Sequence, residues 1–463
     1  MTMADTTRQK PSTQIQVADG AGGMRPVDDL RFEGGEWPIE IVVPAKDAQA
    51  WMAHLGAEVE ERGWSSSGIS QLDSAENSGT LSVHAARGPT PPTLNIVWER
   101  PRGGALKVRA RPSGAPTLSL EVAREFIAAV DTRQRANRTM TVHCRRLLSY
   151  EGLPWRGELW LDPDHRLGPP SKHPTDALLG PQTIIVDAMI EGIGKRGVSA
   201  NFEKRLYEIR VFLSVVLGLD AVLSKWERGW VCEMEEPFRV KDCKLGWVGY
   251  VETNETAGFP SVGSARPIEK REASRPGLGP RGISGDMHER WVPADIEDLW
   301  RRFVTLPISK QDHFLRAGNA HLIAQSMWPD QRTAYAAFLV VACEALKPTG
   351  KRYDRLNLYD VVASLLNSDE AERLRKHSAP PQQVRSKHLH RGELVAGELV
   401  PMLIGDYFAD PSFQEMLREL ARVCRTCLIE WLRCGGEYKL VRSAKSKLGL
   451  LTRLWLWVKA LFK

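Results

Sequence analysis

The spacing of apolar residues divides the chain into an early part of mixed strands and helices and a later helical part. Trp37 to Val43 alternates as a strand does, and Pro44 to about Arg62 repeats apolar residues at helical spacing. Further strands are predicted at 80–85, 94–99 and 105–110, and further helices over 118–131 and 201–224. Because the first strands arrive in a run, the pattern predicts an α+β region over residues 36–252.

From Val292 onwards the pattern is helical. Helices are predicted over 296–305, 310–327, 331–346, 356–376, 382–403 and 412–431, with short breaks that mostly contain proline. Short connections between helices with apolar faces are typical of a bundle. The expected fold class is therefore an α+β N-terminal region followed by an all-α helical bundle over residues 293–440.

Three segments lack this patterning or change its character. Residues 1–35 are polar and glycine-rich, and we expect them to be disordered. Residues 253–292 are rich in Pro, Gly and Arg and predict a flexible linker. Residues 441–463 form a basic, apolar tail that would lie on a membrane surface, dock on the protein or bind a partner, and membrane contact is the less favoured of these.

Composition narrows the class of protein. The chain has 463 residues with a net charge of +6, which allows an anionic partner such as RNA without requiring one. It has no apolar leader and no run of about 20 apolar residues, so we expect neither secretion nor a membrane span. Seven scattered cysteines suit a reducing cytoplasm. Cys424 and Cys427 share a helix face and are expected to be buried rather than to bind zinc.

One short stretch concentrates chemistry. Residues 384–392 read Val-Arg-Ser-Lys-His-Leu-His-Arg-Gly, which places Arg385, Ser386, His388 and His390 within six positions. The earlier apolar helix at 336–346 contains a single carboxylate, Glu344. Histidine exchanges protons near neutral pH, and arginine offers a planar fork to phosphate oxygens. These residue types suit acid–base chemistry at a phosphate group.

Together the two stretches resemble the Apea-like branch of the HEPN domains, which pair an "ALEALL"-like helix with a later "RSxxxHG". The resemblance covers residues 293–440. It implies a helical bundle that forms a homodimer, binds RNA and acts as a metal-independent ribonuclease in prokaryotic antiphage defence, without a cofactor. It assigns the catalytic roles to Arg385 and His390. The sequence departs from the family pattern at two positions. Gln382 stands where the family often has an aromatic residue, and Arg391 stands where the family has a glycine directly after the histidine.

The spacing of Arg and His alone is weakly specific. The chain also contains Arg138/His143, Arg166/His173, Arg281/His288 and Arg316/His321, of which the last lies in the same predicted bundle. Only Arg385/His390 combines a following Ser, a nearby Gly and the preceding Glu344 helix. We therefore place the candidate site there.

The geometry of a helix leaves the roles of the residues open. Five residues along a regular helix turn a side chain by about 500°, so Arg385 and His390 would point about 140° apart. Either the helix distorts near Gly392 or two protomers share the site. His388 lies nearer to Arg385 on one face and competes for the catalytic role, and either histidine could be structural. Glu344 either pairs with Arg385 or ends its helix in water.

Three functions stay open from the sequence. The first is an RNA endonuclease whose N-terminal region senses a trigger or regulates the bundle. The second is a bundle that only dimerises or binds RNA or a partner. The third is an adaptor held at a membrane by residues 441–463.

Overall fold

The computed structural model describes a defined part of the chain. It covers residues 37–68, 78–85, 91–101, 104–113, 117–169, 181–223, 259–272, 290–328, 330–348, 350, 353, 355–377, 380–394 and 411–438. Four further strands are described by their backbone, at 16–18, 24–26, 228–236 and 239–247. Contacts divide the chain into two units, residues 1–142 with 190–201 and residues 143–189 with 202–463.

The first unit contains an antiparallel sheet with two helices. In chain order its elements are β3 (Ile39–Val43), α1 (Ala48–Glu61), β4 (Ser65–Gly68), β5 (Ser78–His84), β6 (Thr93–Glu99), β7 (Leu106–Ser113) and α2 (Leu120–Arg135). The strands lie in the order β3-β7-β6-β5-β4. The predicted strands and helices of this region are confirmed, and β4, a run of serines ending in glycine, is the strand that the apolar pattern missed.

Strand alternation builds the core of this unit. Buried and half-buried residues alternate along β5 and β6, so that Leu81, Ile96 and Trp98 face inward. They pack in one cluster with Trp51 of α1 and Phe126 of α2. The first turn of α2 begins at Ser119, whose side chain accepts a hydrogen bond from the backbone N–H of Val122 at 3.2 Å.

The second unit begins with another sheet. It contains β8 (Met140–Glu151), β9 (Leu159–Asp162), β10 (His165–Gly168), β11 (Pro181–Gly192) and β12 (Val222–Leu223), in the order β12-β8-β11-β10-β9. The helix α3 (Gly194–Leu217) follows β11, which confirms the long helix predicted there. β13 (Arg228–Glu236) and β14 (Arg239–Trp247) form an antiparallel hairpin.

The helical part of the second unit begins after residue 295. Its helices are α4 (Ile296–Thr305), α5 (Ile308–Met327), α6 (Arg332–Glu344), α7 (Leu358–Leu365), α8 (Ser368–Lys376), α9 (Pro381–Arg391) and α10 (Pro411–Arg433). An α+β N-terminal region and a helical C-terminal region are thus both present. None of the described helices is long and apolar enough to cross a membrane.

One predicted helix is two helices. The apolar pattern gave a single helix over 356–376, but α7 ends at Leu365 and α8 begins at Ser368. Asn367 explains the break, because its side chain accepts a hydrogen bond from the backbone N–H of Glu370 at 2.9 Å and caps α8. Of the helix predicted over 382–403, residues 395–403 lie outside the described residues.

The segment predicted as a flexible linker is partly ordered. The Glu158 backbone N–H donates to the Arg266 carbonyl at 2.8 Å, and the Glu158 carbonyl accepts from the backbone N–H of Ile268 at 2.9 Å. Ile268 is buried. β15 (Glu269–Arg271) then pairs in parallel with β16 (Trp291–Pro293). Residues 259–272 therefore continue the fold. Strand pairing satisfies the backbone hydrogen-bonding groups of a segment that has few apolar side chains to bury.

The division of the chain also differs from the predicted one. The sequence suggested that residues 36–252 form one region, separated from the bundle by the linker. Instead, the β8–β12 sheet and most of α3 belong with the helices. Trp300 of α4 donates to the Asp162 carboxylate at 2.6 Å and meets Phe212 of α3 edge to face at 5.2 Å. Long-range packing of this kind leaves no mark in local periodicity.

The two terminal predictions fall mostly outside the described residues. In the N-terminal segment predicted to be disordered, β1 (Gln16–Ala18) pairs with β2 (Met24–Pro26). These six residues are a correction to that prediction. The tail 441–463 lies wholly outside the described residues.

Candidate functional site

The helices α6 and α9 carry the candidate site. α6 is buried along most of its length, and Glu344 is its last residue. α9 begins with Pro381 in its first turn, where a missing N–H costs nothing, and ends at Gly392 with φ 65°. The sequence thus fixes both ends of the short helix that carries Arg385, Ser386, His388 and His390.

The predicted pairing of Glu344 with Arg385 is present. The Arg385 Nη2 lies 3.6 Å from the Glu344 Oε2, and the two side chains are 28% and 12% exposed. Gln382, one turn before Arg385, donates from its Nε2 to the Glu344 Oε1 at 3.0 Å. Both carboxylate oxygens of Glu344 therefore contact side chains of α9. A partly buried carboxylate needs such partners.

Gln382 is a functional candidate that the sequence did not reveal. Its amide donates to the carboxylate that also pairs with Arg385. The buried Gln382 Oε1 and Arg385 Nε have no hydrogen-bond partner within the described part of the protein. Both atoms keep unused hydrogen-bonding capacity beside the ion pair.

The histidines lie apart from Arg385 and Glu344. His388 is half-buried, and its Nδ1 lies 3.4 Å from the Glu393 carbonyl oxygen just beyond the helix. His390 and Ser386 are exposed. Across the described residues, no hydrogen bond or ion pair joins Ser386, His388 or His390 to the Arg385–Glu344 pair.

The helix itself decides one of the alternatives left open by the sequence. α9 is a regular α-helix through Arg391, so no distortion near Gly392 brings His390 round to Arg385. Arg385 and His390 of one chain therefore project from different faces, as five residues at 3.6 per turn require. The helix therefore excludes the first explanation, a distortion near Gly392, for the described residues.

The competing pair within the bundle is not a site. His321 of α5 is 1% exposed, with its Nδ1 2.9 Å from the Ser214 Oγ and its Nε2 3.3 Å from the Gln325 amide. Burial and, to a smaller extent, the charge of Arg425 together lower the pKa of His321 to about 3. Arg316 instead donates to the Asp312 carbonyl on the same helix at 3.3 Å. His321 is a neutral core residue.

A second cluster of charges lies on the β8–β11–β10 part of the sheet. Asp187 is 0% exposed and sits 2.8 Å from the His143 Nε2, 2.7 Å from the Arg145 Nε and 3.0 Å from the Arg166 Nη1. Arg166 also donates to the buried Glu158 at 3.2 Å. Each cation has a carboxylate, so the cluster is a buried ion network. A lone Asp in the apolar run 184–188 was the sequence signal for it.

The cysteines are buried as expected. Cys424 and Cys427 of α10 are both 0% exposed, and the Cys424 thiol donates to the Leu339 carbonyl at 3.3 Å. Burial raises the pKa of each of these two thiols. Among the described residues, no group of three or more His, Cys, Asp or Glu side chains is arranged to hold a metal ion.

Comparisons with known proteins do not show which family the chain belongs to. No protein-family model matches the chain, and neither the curated proteins nor the solved structures contain a match. The function is therefore inferred from the residues and their contacts.

Proposed function

We propose that the chain is a metal-independent RNA endonuclease of the HEPN type that acts in prokaryotic antiphage defence. The observation that carries this proposal is the Glu344–Arg385 ion pair between α6 and α9, with Gln382 on the second carboxylate oxygen. Glu344 fixes the arginine on a helix, and Arg385 keeps 28% of its side chain exposed to meet a phosphate.

The reaction needs three groups. A base removes the proton of the RNA 2′-hydroxyl, an acid protonates the leaving 5′-oxygen, and a cation stabilises the phosphorane as it gains charge. Arg385 supplies the cation. His390 acts as the base that takes the 2′-hydroxyl proton, and its protonated imidazole then acts as the acid that gives a proton to the leaving 5′-oxygen. Ser386 is exposed beside Arg385 and donates to the same phosphate. His388 is the competing proton carrier.

The geometry of α9 favours a site made by two copies. Because Arg385 and His390 leave different faces of a regular helix, one chain does not present both to a single phosphate. In a homodimer through this bundle, His390 of one protomer would face Arg385 of its partner. The N-terminal unit would then sense a trigger or regulate this assembly.

A second candidate is a bundle that binds without cutting. Leu389 is 47% exposed and Leu394 is 43% exposed, on either side of His390. Exposed leucines at this position favour a protein interface. This function needs neither histidine for chemistry.

Cleavage of labelled total RNA in excess EDTA tests the proposal. Wild type is compared with Arg385→Ala, His390→Ala and His388→Ala, and with Arg316→Ala as an arginine control on the same bundle. We expect wild type and Arg316→Ala to cut, and His390→Ala to lose about 10²–10⁴-fold in rate.

The variants separate the alternatives. A larger loss in His388→Ala than in His390→Ala would transfer the catalytic role to His388. If all the variants cut as wild type does, the site is elsewhere. If purified wild type is inactive and is equally harmless when expressed as each variant, the binding function replaces the endonuclease.

A further inference from the structure

A row of hydroxyl and imidazole groups crosses the outer face of the sheet in the first unit. Ser67 of β4, His84 of β5 and Thr93 of β6 lie on three neighbouring strands, and His84 is directly opposite Thr93 in the register. Val83 and Leu94, the strand neighbours of His84 and Thr93, are buried in the core. Strand alternation therefore places the row on the face away from the core. Ser67 is exposed and His84 is half-buried, so reactants in solution reach the serine.

The hydrogen bonds fix the order of donors and acceptors along the row. The Thr93 hydroxyl donates its single proton to the Pro91 carbonyl at 2.9 Å. Its oxygen therefore accepts at its other contact, 3.0 Å from the His84 Nδ1. A neutral His84 then carries its proton on Nδ1 and a lone pair on Nε2. The Ser67 Oγ lies 3.0 Å from this Nε2, so the serine donates its proton to the imidazole.

A second polar row on the same face has no such base. Ser82 of β5 donates to the Asn95 Oδ1 at 2.9 Å, and the Asn95 amide donates to the Ser113 Oγ at 2.9 Å. An amide does not take up a proton near neutral pH, so this row contributes only to the pairing of the strands. Ser67 differs from Ser82 because its partner is an imidazole, which exchanges protons in this pH range.

The position of β4 also supplies a hydrogen-bond donor for a developing negative charge. In the described sheet, β4 is an edge strand with β5 on one side. The backbone N–H groups of an antiparallel edge strand point alternately towards and away from the neighbouring strand. Along β4, either the N–H of Ser67 or those of Ser66 and Gly68 therefore point away from β5. A backbone donor at or beside the serine is the kind of group that stabilises the oxyanion in acyl transfer.

We propose that Ser67 is a nucleophile that His84 activates, and that it accepts acyl groups from activated esters such as aryl esters. The Ser67 Oγ attacks the carbonyl carbon while its proton passes to the His84 Nε2, and the imidazolium returns that proton to the leaving oxygen as the ester bond breaks. A water then attacks the acyl-serine with His84 again as the base, which releases the carboxylic acid and restores Ser67.

Thr93 is a positioning residue in this scheme. It accepts from the His84 Nδ1 and so holds the imidazole with Nε2 towards Ser67. A threonine has no charge to stabilise the imidazolium, and this restricts the reaction to esters with a good leaving group. The site belongs to the first unit, whereas α6 and α9 belong to the second, so the proposal does not depend on the endonuclease.

The test is reaction of the full chain with an alkyl fluorophosphonate, followed by peptide mass spectrometry. In this reaction the serine oxygen bonds to phosphorus, the bond from phosphorus to fluorine breaks and fluoride leaves, while His84 takes the serine proton. The variants are Ser67→Ala, His84→Ala and Thr93→Val, and Ser82→Ala is the control from the second row. Hydrolysis of p-nitrophenyl acetate by the same proteins gives a second measurement.

We expect the label on Ser67 and not on Ser82, with wild type and Ser82→Ala hydrolysing the ester equally and Ser67→Ala inactive. His84→Ala should slow labelling of Ser67 by about 10²–10⁴-fold, and Thr93→Val should slow it several-fold. Imidazole added to His84→Ala should restore part of the labelling rate, which it would not do if His84 only held the strands together.

Two results would overturn the proposal. The first is wild type in which Ser67 is unlabelled or is labelled no faster than Ser82. The second is His84→Ala that is labelled at the wild-type rate. The comparison of Ser67 with Ser82 is made within the wild-type protein, so it decides the matter even if a variant does not fold.

Discussion

The buried network around Asp187 makes a quantitative prediction. The change Asp187→Asn keeps the shape of the side chain and one acceptor oxygen but removes the charge. Arg145 then loses its carboxylate partner, while Arg166 retains only Glu158. Breaking a buried ion pair by removing one partner costs about 3–5 kcal/mol, because the remaining charge stays desolvated. We expect a loss of that size in the free energy of unfolding of the second unit.

Urea denaturation followed by tryptophan fluorescence measures this loss. The control is Asp298→Asn, which removes one partner of an exposed pair whose Arg301 and Asp298 side chains are 71% and 63% exposed. Exposed pairs contribute at most about 1 kcal/mol, so the control should barely move the midpoint. A cost below about 1 kcal/mol for Asp187→Asn would refute the inference that the network is a desolvated, interdependent set of charges.

Three further predictions concern single residues. The pKa of His321 is lowered to about 3 in the folded chain, so the unfolded chain takes up the proton first as the pH falls. The free energy of unfolding should therefore drop by about 2 kcal/mol between pH 6.5 and 5. Denaturation series at these pH values should show a smaller drop for His321→Gln. Iodoacetamide should label the exposed Cys434 of the native protein well before the two buried α10 cysteines, as peptide mass spectrometry would show. Gly318→Ala should lower the free energy of unfolding by about 1–3 kcal/mol, because the new Cβ would lie 2.4 Å from a Val211 methyl. Gly56→Ala has open space around it and should raise the free energy of unfolding by up to about 1 kcal/mol. Equal shifts of the two melting temperatures would contradict this packing difference.

Local patterns predicted the elements better than their assembly. The helix predicted over 296–305 has those bounds in the structure. Apolar residues at helical spacing define its buried face, and Leu306-Pro307 ends it. The pattern failed at Asn367, where a side-chain cap divides a stretch that is periodic throughout. It also missed β4, since serines carry little strand signal.

The candidate site was predictable in part for the same reason. One carboxylate at the end of the apolar helix α6 indicated that Glu344 needs a partner, and Arg385 is that partner. Gln382 was not predictable, because an amide has no charge to balance and its contact depends on how α9 packs on α6.

The geometry of α9 constrains the proposed chemistry further. If Arg385 of one chain and His390 of another complete each active site, the rate per chain must fall on dilution once the dimer dissociates. Mixing the two inactive variants Arg385→Ala and His390→Ala should then restore part of the activity, because one of the two sites in a mixed dimer keeps both residues. A site built from Arg385 and His388 of a single chain would show neither effect. Dilution and mixing therefore test which histidine acts together with Arg385. The loss of activity in single variants does not show whether the two residues come from one chain or from two.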